Sequence, residues 1–207
     1  MARLGTILVD LNANRRSGTD NRTNLEFYRT EVERRCGICL SDPLIYEAFT
    51  YYDREVLPYK NDDVINAHAM PGAHAALQAV QDVGLRCALF TNPASPGAIE
   101  CRMGWGDLAD APFELVTHMG NTTRCKPDAT YYLEQLQVMG LEPHEVLMVG
   151  NDPKRDFPSP ACGIQTAYVG QGKPGRATWH GTMEDFARDF NAVVEAFYEH
   201  QVADELS

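Results

Sequence analysis

The sequence has no long apolar run, and none of its hydrophobic stretches approaches the roughly 20 residues that span a bilayer. Near the amino terminus a short apolar stretch ends at Asp10, and this pattern argues against a secretion signal. We therefore expect a cytoplasmic protein that does not interact with membranes.

Basic residues are also scarce. The chain carries 18 lysines and arginines against 29 aspartates and glutamates, which gives a net charge of -11, and it contains no basic block. Nucleic-acid binding needs a basic face that displaces counterions, so the sequence argues against a nucleic-acid partner. An anionic substrate would have to be attracted by individual cationic side chains.

Closely spaced cysteines are rare, although the chain has six cysteines. Cys36 and Cys39 form one tight pair, whereas a structural zinc site usually needs a second pair or histidines at matching spacing. Because the sequence offers no second half-site, we expect reduced cysteines with a structural role.

The chain alternates between strand-like and helix-like patterns, which predicts an α/β fold with a doubly wound parallel sheet. Residues 13–70 have a helical pattern and are too long for a loop, so we expect a small helical cap inserted after the first strand. The predicted core then comprises residues 1–12 and 71–207.

Polar residues follow the apolar strands of the predicted core. The strands concerned are Leu4–Val9, Leu85–Phe90 and Val146–Val149. Asp10 follows the first, Thr91 and Asn92 the second, and an acidic loop the third, while Lys126 precedes a helix that opens at Pro127. Ligands of open α/β sheets bind outside the carboxyl ends of the strands, so we expect these groups to meet at one crevice.

This set of side chains suits phosphoryl chemistry. Asp10 is the candidate nucleophile, which would form an aspartyl phosphate, and Thr91 with Asn92 would hold the phosphate oxygens. Lys126 would neutralise charge on Asp10 and on the phosphate. Taken singly, each residue also has a structural reading as a turn cap or as solvated surface; their order along the chain favours the catalytic one.

The acidic loop that follows the third strand predicts a site for a hard divalent cation. Mg²⁺ takes oxygen ligands, usually one or two carboxylates with waters and substrate phosphate. The candidate donors are Asp10, the Asn12 carbonyl, Asn151 and Asp152, and Asp156 follows four residues later in the loop. Asp152 before a proline is also a good helix N-cap, and one residue can serve both purposes.

These segments, in this order, resemble the four motifs of the haloacid dehalogenase (HAD) superfamily. Residues 71–92 are similar to the segment that leads into the second motif, and residues 125–164 are similar to the third and fourth motifs. The helical insertion resembles the C1-type cap. The resemblance covers nearly the whole chain and implies a Rossmann-like core, Mg²⁺ and covalent catalysis through an aspartate, most often in phosphate ester hydrolysis.

Carried over residue by residue, the resemblance assigns a role to each matching position. Asp10 becomes nucleophile and metal ligand, and Lys126 becomes the electrostatic clamp. Thr91 and Asn92 become phosphate-binding residues. The metal loop falls on Asn151, Asp152 and Asp156.

Two positions depart from the family pattern. Phosphatases of the family carry an aspartate where this chain has Asn12, and an amide can neither protonate a leaving group nor activate water; losing such a group typically costs about 10²–10⁴-fold in rate. Asn151 stands where a metal-binding aspartate is usual, and Asp152 follows one place later.

Three alternatives follow from these departures. The first is a slow or selective phosphatase for good leaving groups, and the second is a non-catalytic phosphate-binding regulatory module. The third is a phosphoenzyme former, or a hydrolase with another leaving group, whose acid comes from the cap. The first is the preferred interpretation, since Asp10, Thr91, Lys126 and Asp156 are all present in register.

Substrate choice is expected to lie in the cap. Arg15 and Arg16 are positioned to reach a substrate carboxylate or a second phosphate, or else form a solvated hinge. Tyr51 and Tyr52 are candidates for the cleft lining, or else belong to the cap core. The expected partner is a small phosphorylated substrate, and the expected state is a monomer or homodimer.

Overall fold

The structure is a computed structural model that describes residues 2–205, and it divides the chain into two compact units. The first comprises Met1–Ala69, Leu89–Asp110 and Val116–Cys125. The second comprises Met70–Ala88, Ala111–Leu115 and Lys126–Ser207. No helix within residues 2–205 is long and apolar enough to cross a bilayer.

The first element is a helix, α1 (Ala2–Asn12), so the predicted strand Leu4–Val9 is wrong. A short apolar run fits either a helix or a buried strand, and periodicity alone does not separate them. Ile7 and Leu11, one helical turn apart, are both buried, whereas Val9 is 57% exposed. This one-sided burial is the pattern of a helix that covers a core with one face.

The rest of the first unit is mainly helical. The helix α2 (Asn24–Cys36) begins at a capping box formed by Thr23 and Glu26, and it ends at a left-handed glycine. The helix α3 (Pro43–Tyr51) continues into single turns of other helical geometry: Tyr52–Val56, Leu57–Tyr59 and Asn61–Ile65. The unit also contains α5 (Pro96–Trp105). The strands β1 (Cys87–Leu89) and β2 (Phe113–Val116) pair with each other, and most of their residues belong to the second unit.

The core of the first unit joins segments that are far apart in sequence. Leu11 from α1 and Phe27 from α2 pack with Met119 and Cys125 from the chain that follows β2. The helices α1 and α2 contact each other. Residues 13–69 therefore belong to the first unit, and the role of residues 13–70 as a cap stays a prediction.

The second unit contains a parallel three-stranded sheet in the order β3 (Leu147–Gly150), β4 (Gln165–Val169) and β5 (Trp179–Gly181). Its helices are α4 (Ala73–Asp82), α6 (Ala129–Met139), α7 (Met183–Arg188) and α8 (Phe190–Glu205). Short 3-10 turns cover Pro143–Glu145 and Pro160–Cys162. The α/β fold class with parallel strands is confirmed.

The core of the second unit lies between the sheet and its helices. Ala167 and Val169 of β4 pack against Phe186 of α7 and Phe190 of α8. Burial of these apolar side chains is the main force that holds the strands in place. The carboxyl end of β3, where the acidic loop begins, is thereby anchored to a packed core.

Candidate functional site

Asp156 organises the acidic loop that follows β3. Its Oδ1 accepts a hydrogen bond from Lys126 Nζ at 2.7 Å. Its Oδ2 accepts the backbone N–H groups of Asn151 at 3.1 Å and Asp152 at 3.0 Å. The Lys126 and Asp156 side chains are only 9% and 14% exposed, so this charge pair is largely shielded from water.

The backbone around Asp156 is also held closely. The Tyr132 hydroxyl donates to the Asp156 carbonyl, and burial raises the pKa of that hydroxyl well above its ordinary value. A Cβ on Gly150 would lie 2.5 Å from the Asp156 Cβ. Glycine at position 150 is therefore required for the close approach of Asp156 to the end of β3.

Gly150→Ala is expected to lower the free energy of unfolding by about 1–3 kcal/mol, because the new methyl group must displace Asp156. Gly104→Ala is the matched control, since its Cβ meets nothing within 4 Å and the residue lies in a helix. That substitution should raise the free energy of unfolding by up to about 1 kcal/mol. Urea denaturation of both variants measures the difference, and similar effects from the two would contradict the steric argument.

Asp152 is the accessible carboxylate of the loop. Its side chain is 43% exposed and faces Arg155 at 3.6 Å, while its Oδ1 accepts the Lys154 N–H at 3.0 Å. Asn151 is exposed as well. The Asp156 carboxylate, in contrast, already accepts three hydrogen bonds and has little capacity left for a metal.

The donor set of this loop fits Mg²⁺ but not a fully protein-made metal cage. Within residues 2–205, no three His, Cys, Asp or Glu side chains cluster closely enough to hold a metal ion. Mg²⁺ requires fewer protein ligands, because it keeps several waters and accepts substrate phosphate. The exposed Asp152 carboxylate with the Asn151 amide meets that smaller requirement.

Asp10 lies in the last turn of α1 and not at the end of a strand. Its carboxylate is bound by Arg35 at 2.7 Å and by Arg15 at 3.2 Å. The Arg35 hydrogen bond holds the pKa of the Asp10 carboxyl below its ordinary value of 3.8; desolvation opposes this shift, and Arg15 reinforces it. The side chain of Asn12 is exposed and donates to the Leu8 carbonyl at 2.9 Å.

The lowered pKa of Asp10 makes a pH-dependent contribution to stability. A carboxyl group whose pKa is lowered in the folded state stabilises the fold fully at pH values above its ordinary pKa. This stabilisation is lost as the pH falls through the folded-state pKa. We expect the carboxyl ¹³C resonance of Asp10 to titrate with a midpoint below 3.8. Arg35→Gln should raise that midpoint, whereas Arg34→Gln, which removes a partner of Glu31, should leave it unchanged. Equal midpoints in all three proteins would contradict the assignment.

Thr91 is held by Thr117, a residue that is not among the predicted site residues. The Thr91 N–H donates to Thr117 Oγ1 at 2.7 Å, and the Thr91 hydroxyl donates to the Thr117 carbonyl at 2.8 Å. Thr117 is fully buried. Its place directly after β2 was the available signal, since strand ends carry the polar groups of the crevice. Asn92 follows Thr91 and is half-buried.

The proposed specificity residues lie in different environments. Arg16 donates to the Asn24 side chain at 2.8 Å and to the Arg22 carbonyl at 3.2 Å, so its guanidinium is committed to the fold. Arg15 is paired with Asp10. Tyr51 and Tyr52 are 62% and 45% exposed, so neither side chain is part of a buried core.

The structure brings together four of the predicted site residues in the second unit: Lys126, Asn151, Asp152 and Asp156. It places Asp10, Asn12, Thr91 and Asn92 in the first unit. The four residues in the second unit form a buried ammonium–carboxylate pair, Lys126–Asp156, beside an acidic loop that faces solvent.

Comparisons with known proteins address the family directly. Residues 14–162 match the family model described as haloacid dehalogenase-like hydrolase. A phosphoglycolate phosphatase from Nitrosospira multiformis is 24% identical over 156 residues, which cover 75% of this chain and 64% of that protein. Another from Rhodospirillum rubrum is 31% identical over 115 residues, which cover 55% of this chain and 46% of that protein. The chain thus spans less than two thirds of the length of either curated relative.

Solved structures support the same fold. A crystal structure of β-phosphoglucomutase from Clostridium difficile superposes with a TM-score of 0.58 at 15% identity. The match covers 97% of this chain and 92% of that one. At this level of identity the likeness concerns the fold, and it agrees with a Rossmann-like α/β core.

Proposed function

Because the chain belongs to the haloacid dehalogenase-like hydrolase family, we propose that it is a Mg²⁺-dependent phosphatase of a small phosphorylated metabolite. The observation that carries the proposal is the buried Lys126–Asp156 pair, which fixes the loop that presents the exposed Asp152. The two phosphoglycolate phosphatases support a small phosphate ester as the substrate class. We keep the cytoplasm as the proposed compartment and a monomer or homodimer as the proposed state.

In the proposed reaction, the Asp10 carboxylate attacks phosphorus and forms an aspartyl phosphate. The bond from phosphorus to the ester oxygen breaks, and that oxygen leaves with the electron pair. Water then hydrolyses the aspartyl phosphate and restores the carboxylate. Asp10 is ionised at neutral pH, as an attacking carboxylate must be.

The remaining residues bind and neutralise the phosphate. Thr91 and Asn92 are proposed to contact its oxygens, for which the Thr91 hydroxyl has to rotate away from the Thr117 carbonyl. Lys126 is proposed to neutralise charge on the transferring group. Asp10, the Asn12 carbonyl and Asp152 would hold Mg²⁺ in this proposal, and the bound ion would supply polarisation of a phosphoryl oxygen.

In this proposal position 12 supplies no proton to the leaving group, because it carries an amide and lies about 200° around α1 from Asp10. An amide has no proton to give to a departing alkoxide, so the rate depends on how stable the leaving group is without one. Aryl and acyl phosphates have leaving groups of low pKa and need no proton donor. We therefore propose that activated phosphate esters are the better substrates.

A second candidate function is a non-catalytic, phosphate-binding regulatory module. The specific observation in its favour is that both Asp10 oxygens are bound by arginines, which occupies the proposed nucleophile. In this alternative the protein binds a phosphate group but does not turn it over.

Phosphate release from a substrate panel distinguishes the two candidates. The panel contains p-nitrophenyl phosphate, acetyl phosphate, 2-phosphoglycolate and glycerol 3-phosphate, each with Mg²⁺ and with EDTA. We expect Mg²⁺-dependent release from the two activated compounds and much slower release from the alkyl esters. No phosphate release from any of the four compounds, together with calorimetric binding of inorganic phosphate, would favour the regulatory module and contradict the phosphatase.

A further inference from the structure

The first unit contains an open-sided cavity of about 440 Å³ that includes none of the proposed catalytic residues. It lies between α5 and the chain that precedes α4. Its walls include Ile65, Ala67, His68, Ala98, Arg102 and Trp105. The volume lies within the range of about 300–1,000 Å³ that is typical of small-molecule sites.

Hydrogen bonds fix the walls of this cavity. The Trp105 indole N–H donates to the Pro58 carbonyl at 2.9 Å, which ties the ring to the opposite segment. The Asn61 side chain donates to the Ala67 carbonyl at 2.8 Å and accepts the Ala67 N–H at 2.6 Å. A ligand would therefore enter a cavity that is already formed, and little conformational entropy would be lost on binding.

The polar groups of the cavity are few and are suited to an anion. Arg102 is exposed, and its guanidinium forms no hydrogen bond or ion pair with any residue that the structure describes. The His68 Nδ1–H donates to the Asn66 carbonyl at 3.3 Å, and its other ring nitrogen takes no part in that bond. Ala98, Arg102 and Trp105 lie on one face of α5, because they are spaced by four and three residues. A cation thus stands next to an apolar wall.

We propose that this cavity binds a small organic anion with a carboxylate head and an apolar body. Arg102 would bind the carboxylate through its planar fork, and the apolar side chains with the Trp105 ring would cover the body. In a chain with a net charge of -11, an arginine that has no ion-pair partner among the described residues and lies beside apolar side chains favours an anionic ligand over a neutral one. The ligand would be distinct from the phosphorylated substrate proposed above.

Fluorescence of Trp105 tests the proposal without any use of turnover. The protein has two tryptophans, Trp105 and Trp179, so Trp179→Phe leaves Trp105 as the single reporter. We expect hexanoate to cause a saturable change in emission, with 1-hexanol binding at least about tenfold more weakly, as the loss of a charge-assisted hydrogen bond implies. Arg102→Gln in the same background should weaken hexanoate at least about tenfold and leave hexanol unchanged.

Arg54→Gln is the matched control, because Arg54 is exposed in the same unit but does not line the cavity. This variant should bind hexanoate as well as its parent does. Absence of a saturable change would overturn the proposal, as would equal affinity for hexanoate and hexanol, or an Arg102→Gln variant that binds like Arg54→Gln. Since none of these readouts involves phosphate release, failure here is separate from failure of the proposed phosphatase.

Discussion

We expect Lys126→Met to lower the free energy of unfolding by about 3–5 kcal/mol, the cost of leaving one partner of a buried ion pair uncompensated. The partner is the Asp156 carboxylate, which is 14% exposed and lies 2.7 Å from the ammonium. The methionine side chain keeps most of the apolar stem of the lysine, so the change isolates the charge. Urea denaturation with a fixed m-value measures the loss.

A double-mutant cycle separates the charge pair from other effects of the substitution. Asp156→Asn retains an oxygen for the loop amides, and the double variant Lys126→Met/Asp156→Asn contains no buried charge. The double variant should lose less free energy of unfolding than the sum of the losses of the two single variants. Arg34→Gln removes an exposed partner of Glu31 and should cost no more than about 1 kcal/mol. Additive losses in the cycle, or a Lys126→Met loss as small as that of Arg34→Gln, would contradict the role of the pair.

The acidic loop shows how far local sequence carries a prediction. The apolar run Val146–Val149, followed by a polar and acidic segment, predicts a strand with a polar loop, and β3 confirms the strand with both ends one residue later. The sequence does not reveal how Asp156 is used. That carboxylate bonds to the backbone of its own loop and to Lys126, 30 residues away along the chain. Asp156, which the sequence predicts as a metal ligand, is thus also the residue whose hydrogen bonds hold the loop in shape.

The first element shows where local sequence is insufficient. The residues of α1 form a short apolar run that fits two kinds of secondary structure equally well. The choice depends on Phe27, Met119 and Cys125, which bury Leu11 and are far from it in sequence. The Cys125 thiol also contacts the Leu11 carbonyl at 3.2 Å. Tertiary contacts of this kind are not encoded in the periodicity of the run, so they could not be predicted from it.

The second large effect is expected for Asp10→Asn, which should reduce phosphate release from p-nitrophenyl phosphate by on the order of 10³-fold or more, as for other covalent nucleophiles. An amide does not form the acyl phosphate, whereas its oxygen still accepts a hydrogen bond from Arg35. The fold should therefore be kept, and the loss should appear in kcat. Steady-state kinetics with a thermal unfolding control measure this effect. A variant as active as wild type would exclude Asp10 as the nucleophile.

Asn12→Asp complements that variant, because the helical geometry of α1 predicts where a carboxylate at position 12 would lie. Residues two apart on a helix stand about 200° from each other, so a carboxylate at position 12 would point away from the face that carries Asp10. We therefore expect Asn12→Asp to leave turnover of glycerol 3-phosphate within about twofold of wild type, although a well-placed general acid would raise it by about 10²–10⁴-fold. In an extended strand the two residues would share one side, and a carboxylate at position 12 could then protonate the ester oxygen leaving phosphorus. A gain of that size would mean that residues 10 and 12 act on one phosphate from an extended backbone, and it would contradict the helical arrangement as the working one.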